Sequence, residues 1–129
     1  MIEPGVRIIG YVNIGEDVSI AAPAEIMAKD SLITIGSGCD VAAFVTISTA
    51  DSSRRCIGLS AEIERREIYI GPRVFIGTGA VILGGCDIGE GSVIGAGVVL
   101  KGAKIPPHSR VLSPLPTIQP GYYKQKGVM

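Results

Sequence analysis

The sequence has 129 residues, room for one domain, and its 12 Lys and Arg balance its 12 Asp and Glu; no net field draws it to nucleic acid or to an anionic membrane. With 18 Gly, 8 Pro and only 5% aromatic residues, the composition favours many tight turns over helices. Mean hydropathy is +0.42, yet no apolar run approaches the roughly 18 residues of a membrane-spanning helix, and the most apolar stretch, Val74 to Cys86, is broken by four glycines and followed by Asp87.

Taken from the N-terminus, Ile2, Ile8, Ile14, Ile20 and Ile26 recur every six residues. The register slips around Lys29-Asp30-Ser31, and Ile35, Val41 and Ile47 then form a second run. It slips again after Ile47. Beyond a polar stretch, Ile70, Ile76, Ile82, Ile88, Ile94 and Leu100 keep the six-residue step throughout. Four residues after most of these comes a second small or β-branched residue: Val6, Val12, Val18, Ala24, Cys39, Val45, Val74, Ala80, Cys86, Ser92 and Val98. Glycine often follows the aliphatic residue directly, as at Gly15, Gly36, Gly71, Gly77, Gly89 and Gly95.

A period of six fits neither a helix of 3.6 residues per turn nor a sandwich with turn signals every 8–12 residues. It fits a coil of three short strands joined by tight corners, each strand turning one aliphatic and one small side chain inward. Successive coils stack at roughly 4.8 Å. Three six-residue units per coil put Ile70 over Ile88, Ile76 over Ile94 and Ile82 over Leu100. The glycines relieve steric limits at the turns. The reading is an all-β, parallel β-helix of about five coils, enough for stacking to offset the cost of ordering. It occupies residues 1–112, with an excursion loop at 48–67 and a short C-terminal tail at 113–129.

The run Ile70-Gly71-Pro72-Arg73-Val74-Phe75-Ile76-Gly77-Thr78-Gly79-Ala80-Val81-Ile82, with Asp87-Ile88-Gly89-Glu90-Gly91-Ser92-Val93-Ile94-Gly95-Ala96-Gly97, resembles the hexapeptide-repeat acyltransferases. It is most similar to their maltose and galactoside O-acetyltransferase branch and to the sugar acetyltransferases of polysaccharide biosynthesis. The resemblance covers nearly all the chain and implies a left-handed coil, although general crossover chirality favours the right hand. It also implies a homotrimer with active sites between subunits, and acetyl-CoA as co-substrate lying along the coils.

Asp30 and Asp51 mark the two breaks, each standing where the repeat asks for a small apolar residue. The first break is a short corner insertion. The second opens the excursion from Ser48 to Glu67, a polar segment before Ile68-Tyr69-Ile70 re-enters the coil. Long loops in compact domains are often functional, and the resemblance implies a loop that reaches a neighbouring subunit and lines the acceptor pocket.

At this point the family places a histidine that takes a proton from the acceptor hydroxyl, an effect worth roughly 10²–10⁴ in rate. Here Ala50, Asp51, Ser52 and Ser53 follow Thr49 instead, which makes Asp51 and Ser52 the candidate catalytic residues. Asp51 reads equally as a loop-capping aspartate. The single histidine, His108 in Ile105-Pro106-Pro107-His108-Ser109, matches an ordinary turn position of the family's closing corner. Thr78, Ala96, Gly97 and Lys101 match family positions that contact coenzyme A. Small residues admit the thioester to the backbone, amides hold its oxyanion, and a lysine meets phosphate. Gly102-Ala103-Lys104 carries one extra residue relative to the family pattern, so Lys104 is an alternative to Lys101. Ser113-Pro114-Leu115-Pro116 stands where the family has G-x-P-A near the nucleotide.

The remaining signals are discounted. Gly77-Thr78-Gly79 and Gly95-Ala96-Gly97 lack the third glycine and following helix of a dinucleotide fingerprint. Cys39 and Cys86 fill inward positions, Cys56 lacks a partner base, and one histidine cannot supply a zinc enzyme's cluster. With three cysteines, no C-x-x-C and no signal-peptide pattern, a cytoplasmic protein without metal or membrane insertion is expected. The expected function is acetyl transfer from acetyl-CoA to a hydroxyl or amino group of a sugar or amino-sugar acceptor. The alternative is a non-catalytic relative that has lost the histidine.

Overall fold

The computed structural model describes residues 1–125, so the last four residues of the expected tail lie outside it. Among the described residues fifteen strands follow in chain order. The first coils contain β1 (Arg7–Ile14), β2 (Ser19–Ile20), β3 (Glu25–Ile35), β4 (Asp40–Val41) and β5 (Thr46–Ser48). The excursion contributes β6 (Ala50–Asp51), a single helical turn α1 (Ser53–Cys56) and β7 (Glu64–Arg65). The coil resumes with β8 (Ile68–Ile70), β9 (Phe75–Ile76), β10 (Val81–Leu83), β11 (Asp87–Ile88), β12 (Val93–Ile94), β13 (Val99–Lys101), β14 (Lys104–Ile105) and β15 (Arg110–Val111). A short helix, α2 (Tyr122–Gln125), follows.

Every pairing between coils is parallel, and the expected stack is observed. Ile70 pairs with Ile88, Ile76 with Ile94 and Ile82 with Leu100. The columns extend through the earlier coils as Ile14–Ile35–Ile70, Ile20–Val41–Ile76 and Ile8–Ile26–Ile47–Ile82. Ile26, Ile47, Ile70, Ile76, Ile82, Ile88 and Ile94 are fully buried. The fold is the left-handed parallel β-helix of about five turns. Its interior is three aliphatic ladders with Val, Ala and Cys filling the corners between them.

Glycine after the aliphatic residue serves close approach between coils. A Cβ added at Gly77 would lie 2.6 Å from the Ala96 nitrogen of the next coil, a distance no side chain tolerates. Left-handed backbone falls two residues later instead, at Gly79 (φ +72) and Gly97 (φ +70). At other corners Asp17, Phe44, Arg73 and His108 take this conformation despite their Cβ.

The first break is an insertion of residues 29–31. Gly10 pairs with Ala28 and Tyr11 with Leu32, so β3 carries three residues that β1 lacks, and Asp30 turns the chain with φ +54.

Candidate active site

The excursion is clamped where it leaves and rejoins the coil. Thr49 is buried, its N–H and hydroxyl both donating to the Met27 carbonyl at 3.1 and 3.4 Å. Its own carbonyl accepts the Arg66 N–H at 3.1 Å. Gly84 on the next coil makes room for this carbonyl, since a Cβ there would sit 2.9 Å from it.

Between the clamps, β6 and β7 form an antiparallel ribbon in which Ala50 faces Arg65 and Asp51 faces Glu64. Directly opposed residues project from the same face, and neighbours along a strand from opposite faces. Asp51 and Glu64 therefore share one face. Arg65 lies on the other, where its guanidinium donates to the Lys29 carbonyl at 2.8 Å and lies 4.0 Å from Asp30. The two breaks in the repeat, far apart in sequence, are thus bound to each other.

The ribbon and the coil enclose a cavity of about 320 Å³, lined by Thr49, Ala50, Asp51, Ser53, Glu64, Arg66, Leu83, Gly84 and Lys101. Asp51 accepts the Ser53 N–H at 2.9 Å through Oδ1, the turn-capping bond of an aspartate. Its Oδ2 accepts the Lys101 ammonium at 2.7 Å. Lys101 first, and then Ser53, hold its carboxyl well below the usual carboxylate range. A general base needs the opposite shift. Ser52 is exposed at the start of α1, makes no capping hydrogen bond, and is not among the residues lining the cavity.

Thr78, Ala96 and Gly97 form a separate group at the corner that precedes the same face. The Gly97 N–H donates to the Thr78 carbonyl at 3.0 Å, and Thr78 and Ala96 are exposed. A Cβ added at Gly79 or Gly97 would meet nothing within 4 Å, so the backbone here lies open to an approaching group. Strands β10 and β13 run from this corner to the cavity, and Lys101 ends β13 on the cavity side. Lys104 pairs with Asp87 on a different face of the coil. His108 is an exposed turn residue with φ +59, its N–H bound to the Glu90 carbonyl. Among the described residues no cluster of three or more His, Cys, Asp or Glu is arranged to hold a metal ion.

The sequence singles out Asp51 as a catalytic candidate and Lys101 as a coenzyme A contact, but does not show that the two meet. It passed over Thr49, Glu64, Arg66, Leu83 and Gly84 as site residues. The outward place of Leu83 follows from its position next to the inward Ile82. Glu64 and Arg66 had no such signal, because their placement depends on the register of β6 against β7.

A family model described as bacterial transferase hexapeptide (six repeats) matches residues 67–102. No curated protein matches the sequence significantly. Among solved structures, a hexapeptide-repeat acetyltransferase from Vibrio cholerae aligns with a TM-score of 0.73 at 27% identity, over 84% of this chain and 62% of its own. A maltose O-acetyltransferase from Clostridium difficile aligns with a TM-score of 0.69 at 31% identity, over 84% of this chain and 59% of its own. A galactoside acetyltransferase in complex with coenzyme A aligns with a TM-score of 0.65 at 32% identity, over 77% of this chain and 49% of its own. The chain thus spans about half to three-fifths of these relatives' length. In its repeat and in its fold, the chain is similar to the hexapeptide-repeat acetyltransferases.

Proposed function

We propose that this protein transfers an acetyl group from acetyl-CoA to a sugar or amino-sugar acceptor held in the cavity beneath the excursion. The observation that carries this reading is the arrangement of one outward face. At one end an open backbone corner holds Thr78, Ala96 and Gly97; at the other lies a cavity lined by polar and charged groups. The likeness to acetyltransferases solved with acetyl-CoA and with coenzyme A supports it, as do the maltose and galactoside relatives for a sugar acceptor.

In this reading the corner admits the pantetheine arm and its thioester, and a corner N–H other than those of Gly79 and Gly97, which are bonded to carbonyls, stabilises the oxyanion that forms on attack. Holding thioester and acceptor side by side supplies much of the remaining rate. Lys101 serves coenzyme A only if it leaves Asp51, because its ammonium is already engaged there. Asp51 borders the acceptor end, and Ser52 follows it outside the cavity lining. A homotrimer closes the cleft from the side of a neighbouring subunit. The compartment is the cytoplasm and the setting polysaccharide biosynthesis.

The test is release of free thiol from acetyl-CoA in the presence of sugars and amino sugars, with coenzyme A binding followed by calorimetry. Ala96→Phe should abolish binding without unfolding the coil, because that side chain points outward. One observation favours a second, non-catalytic reading: no histidine lines the cavity, and Asp51 is already neutralised by Lys101. Coenzyme A binding with no thiol release for any acceptor is the result that would establish it.

A further inference from the structure

The cavity holds two carboxylates in different electrostatic states. Asp51 is neutralised by Lys101 and capped by the Ser53 N–H. The exposed carboxylate of Glu64, opposite it on the ribbon, has no hydrogen-bond or ion-pair partner among the described residues. The second cation of the cavity does not lie against Glu64. Arg66 runs along the glycine corner of the coil: a Cβ at Gly84 would be 3.1 Å from its Cβ, and at Gly85 3.4 Å from its Cδ. Its Nη1 lies 3.7 Å from the corresponding point at Gly102. No ion pair joins it to Glu64. Glu64 is therefore the negative charge in the cavity without a counter-ion.

We propose that the acceptor is an amine, and that Glu64 binds its ammonium and then serves as the proton acceptor during acyl transfer. This rests on the acetyl-transfer reading and narrows its acceptor class. A hydroxyl needs a positioned general base, most often a histidine, to take its proton as it attacks a thioester, and no histidine lines the cavity. An amine of the α-amino type loses its proton at about pH 8 and attacks a thioester unaided. An unpaired carboxylate has no function toward a neutral hydroxyl comparable to its attraction for an ammonium.

The acceptor docks as its ammonium and gives one proton to solvent. The free nitrogen attacks the thioester carbonyl; the new C–N bond forms as the carbonyl pair moves to oxygen. The N–H of this intermediate, made acidic by the positive nitrogen, passes its proton to Glu64. The carbonyl re-forms and the C–S bond breaks with its electron pair on sulfur. Glu64 returns the proton to the leaving thiolate. The products are an amide and free coenzyme A.

The experiment compares glucosamine with glucose, and galactosamine with galactose, each with acetyl-CoA and the whole protein. Thiol release gives the rate and mass spectrometry of the product identifies the acetylated atom. The expected result is N-acetylation of the amino sugars, with at least a tenfold lower rate for the parent sugars. Glu64→Gln should lower kcat/KM for the amine at least 100-fold, with coenzyme A affinity and thermal unfolding unchanged, and Glu64→Asp should recover part of the loss. O-acetylation of the parent sugars at the same rate overturns the amine assignment, and an unaffected Glu64→Gln variant overturns the role of Glu64; either result leaves acetyl transfer standing. Coenzyme A binding without thiol release from either member of both pairs overturns both.

Discussion

Two regions of this molecule place their side chains by different means. In the coils, a residue's environment follows from its position in the six-residue period. Ile76, Ile82 and Ile94 are fully buried, and their neighbours Phe75, Val81 and Val93 face outward because strand residues alternate. In the excursion no period operates. Its shape depends on a few polar contacts: the Thr49 clamp, the Arg65 bond to Lys29, and the Asp51–Lys101 pair. The coil is consequently stabilised by many equivalent apolar contacts, and the excursion by a few that have no substitutes. The same division separates scaffold from candidate chemistry, since the cavity takes its charged wall from both: Asp51, Glu64 and Arg66 from the excursion, Lys101 from the coil.

The largest expected effect lies in the coil. Ile82→Ala removes an interior rung of a continuous ladder and should destabilise the protein by about 2–5 kcal/mol, read as a shift in the denaturant midpoint. The loss should appear in the cooperative unfolding of all coils, because each coil's burial depends on its neighbours. Next comes Gly77→Ala, which drives a methyl group against the Ala96 nitrogen. Overpacking of this kind costs about 1–3 kcal/mol, and thermal unfolding should show it.

Smaller in global terms, but sharper for the comparison, is Arg65→Ala. It removes the contact that joins the two breaks while leaving every ladder intact. The melting transition should barely move, whereas hydrogen exchange of the amides between Ala50 and Glu67 should accelerate, because local opening then costs less than global unfolding. A melting temperature that falls as far as in Ile82→Ala would show that the excursion is part of the cooperative coil.

The smallest expected effect concerns Asp51. Its carboxyl titrates below the usual range because of Lys101 and Ser53, so the folded state binds the proton more weakly than the unfolded chain. The stabilisation from this pair is complete above the ordinary carboxylate pKa and fades as pH falls through that range toward the depressed folded value. Asp51→Asn keeps an oxygen for the Ser53 N–H and loses only the negative charge that pairs with Lys101. Its stability should match wild type in strong acid and fall slightly below it at neutral pH. Carbon-detected titration of the Asp51 carboxyl checks the direction of the shift.

The sequence alone determined the coil. A six-residue spacing of aliphatic residues permits one economical burial, three columns with three strands per turn, and the observed pairs Ile70–Ile88, Ile76–Ile94 and Ile82–Leu100 follow from counting. The two breaks were also legible, because Asp30 and Asp51 stand where an inward apolar residue belongs. The reason for the glycines was only half legible: six-residue spacing places Gly77 beside a turn, but only stacking shows that the Ala96 nitrogen leaves no space for a Cβ. The site depended on tertiary structure throughout. Nothing in the local pattern sets Asp51 opposite Glu64, brings Lys101 to Asp51 across fifty positions, or carries Arg65 back to Lys29. Periodic burial is repeated at every coil and is therefore written many times in the chain. A polar contact between distant segments occurs once, and its partners are identified only when the folded backbone brings them within hydrogen-bonding distance.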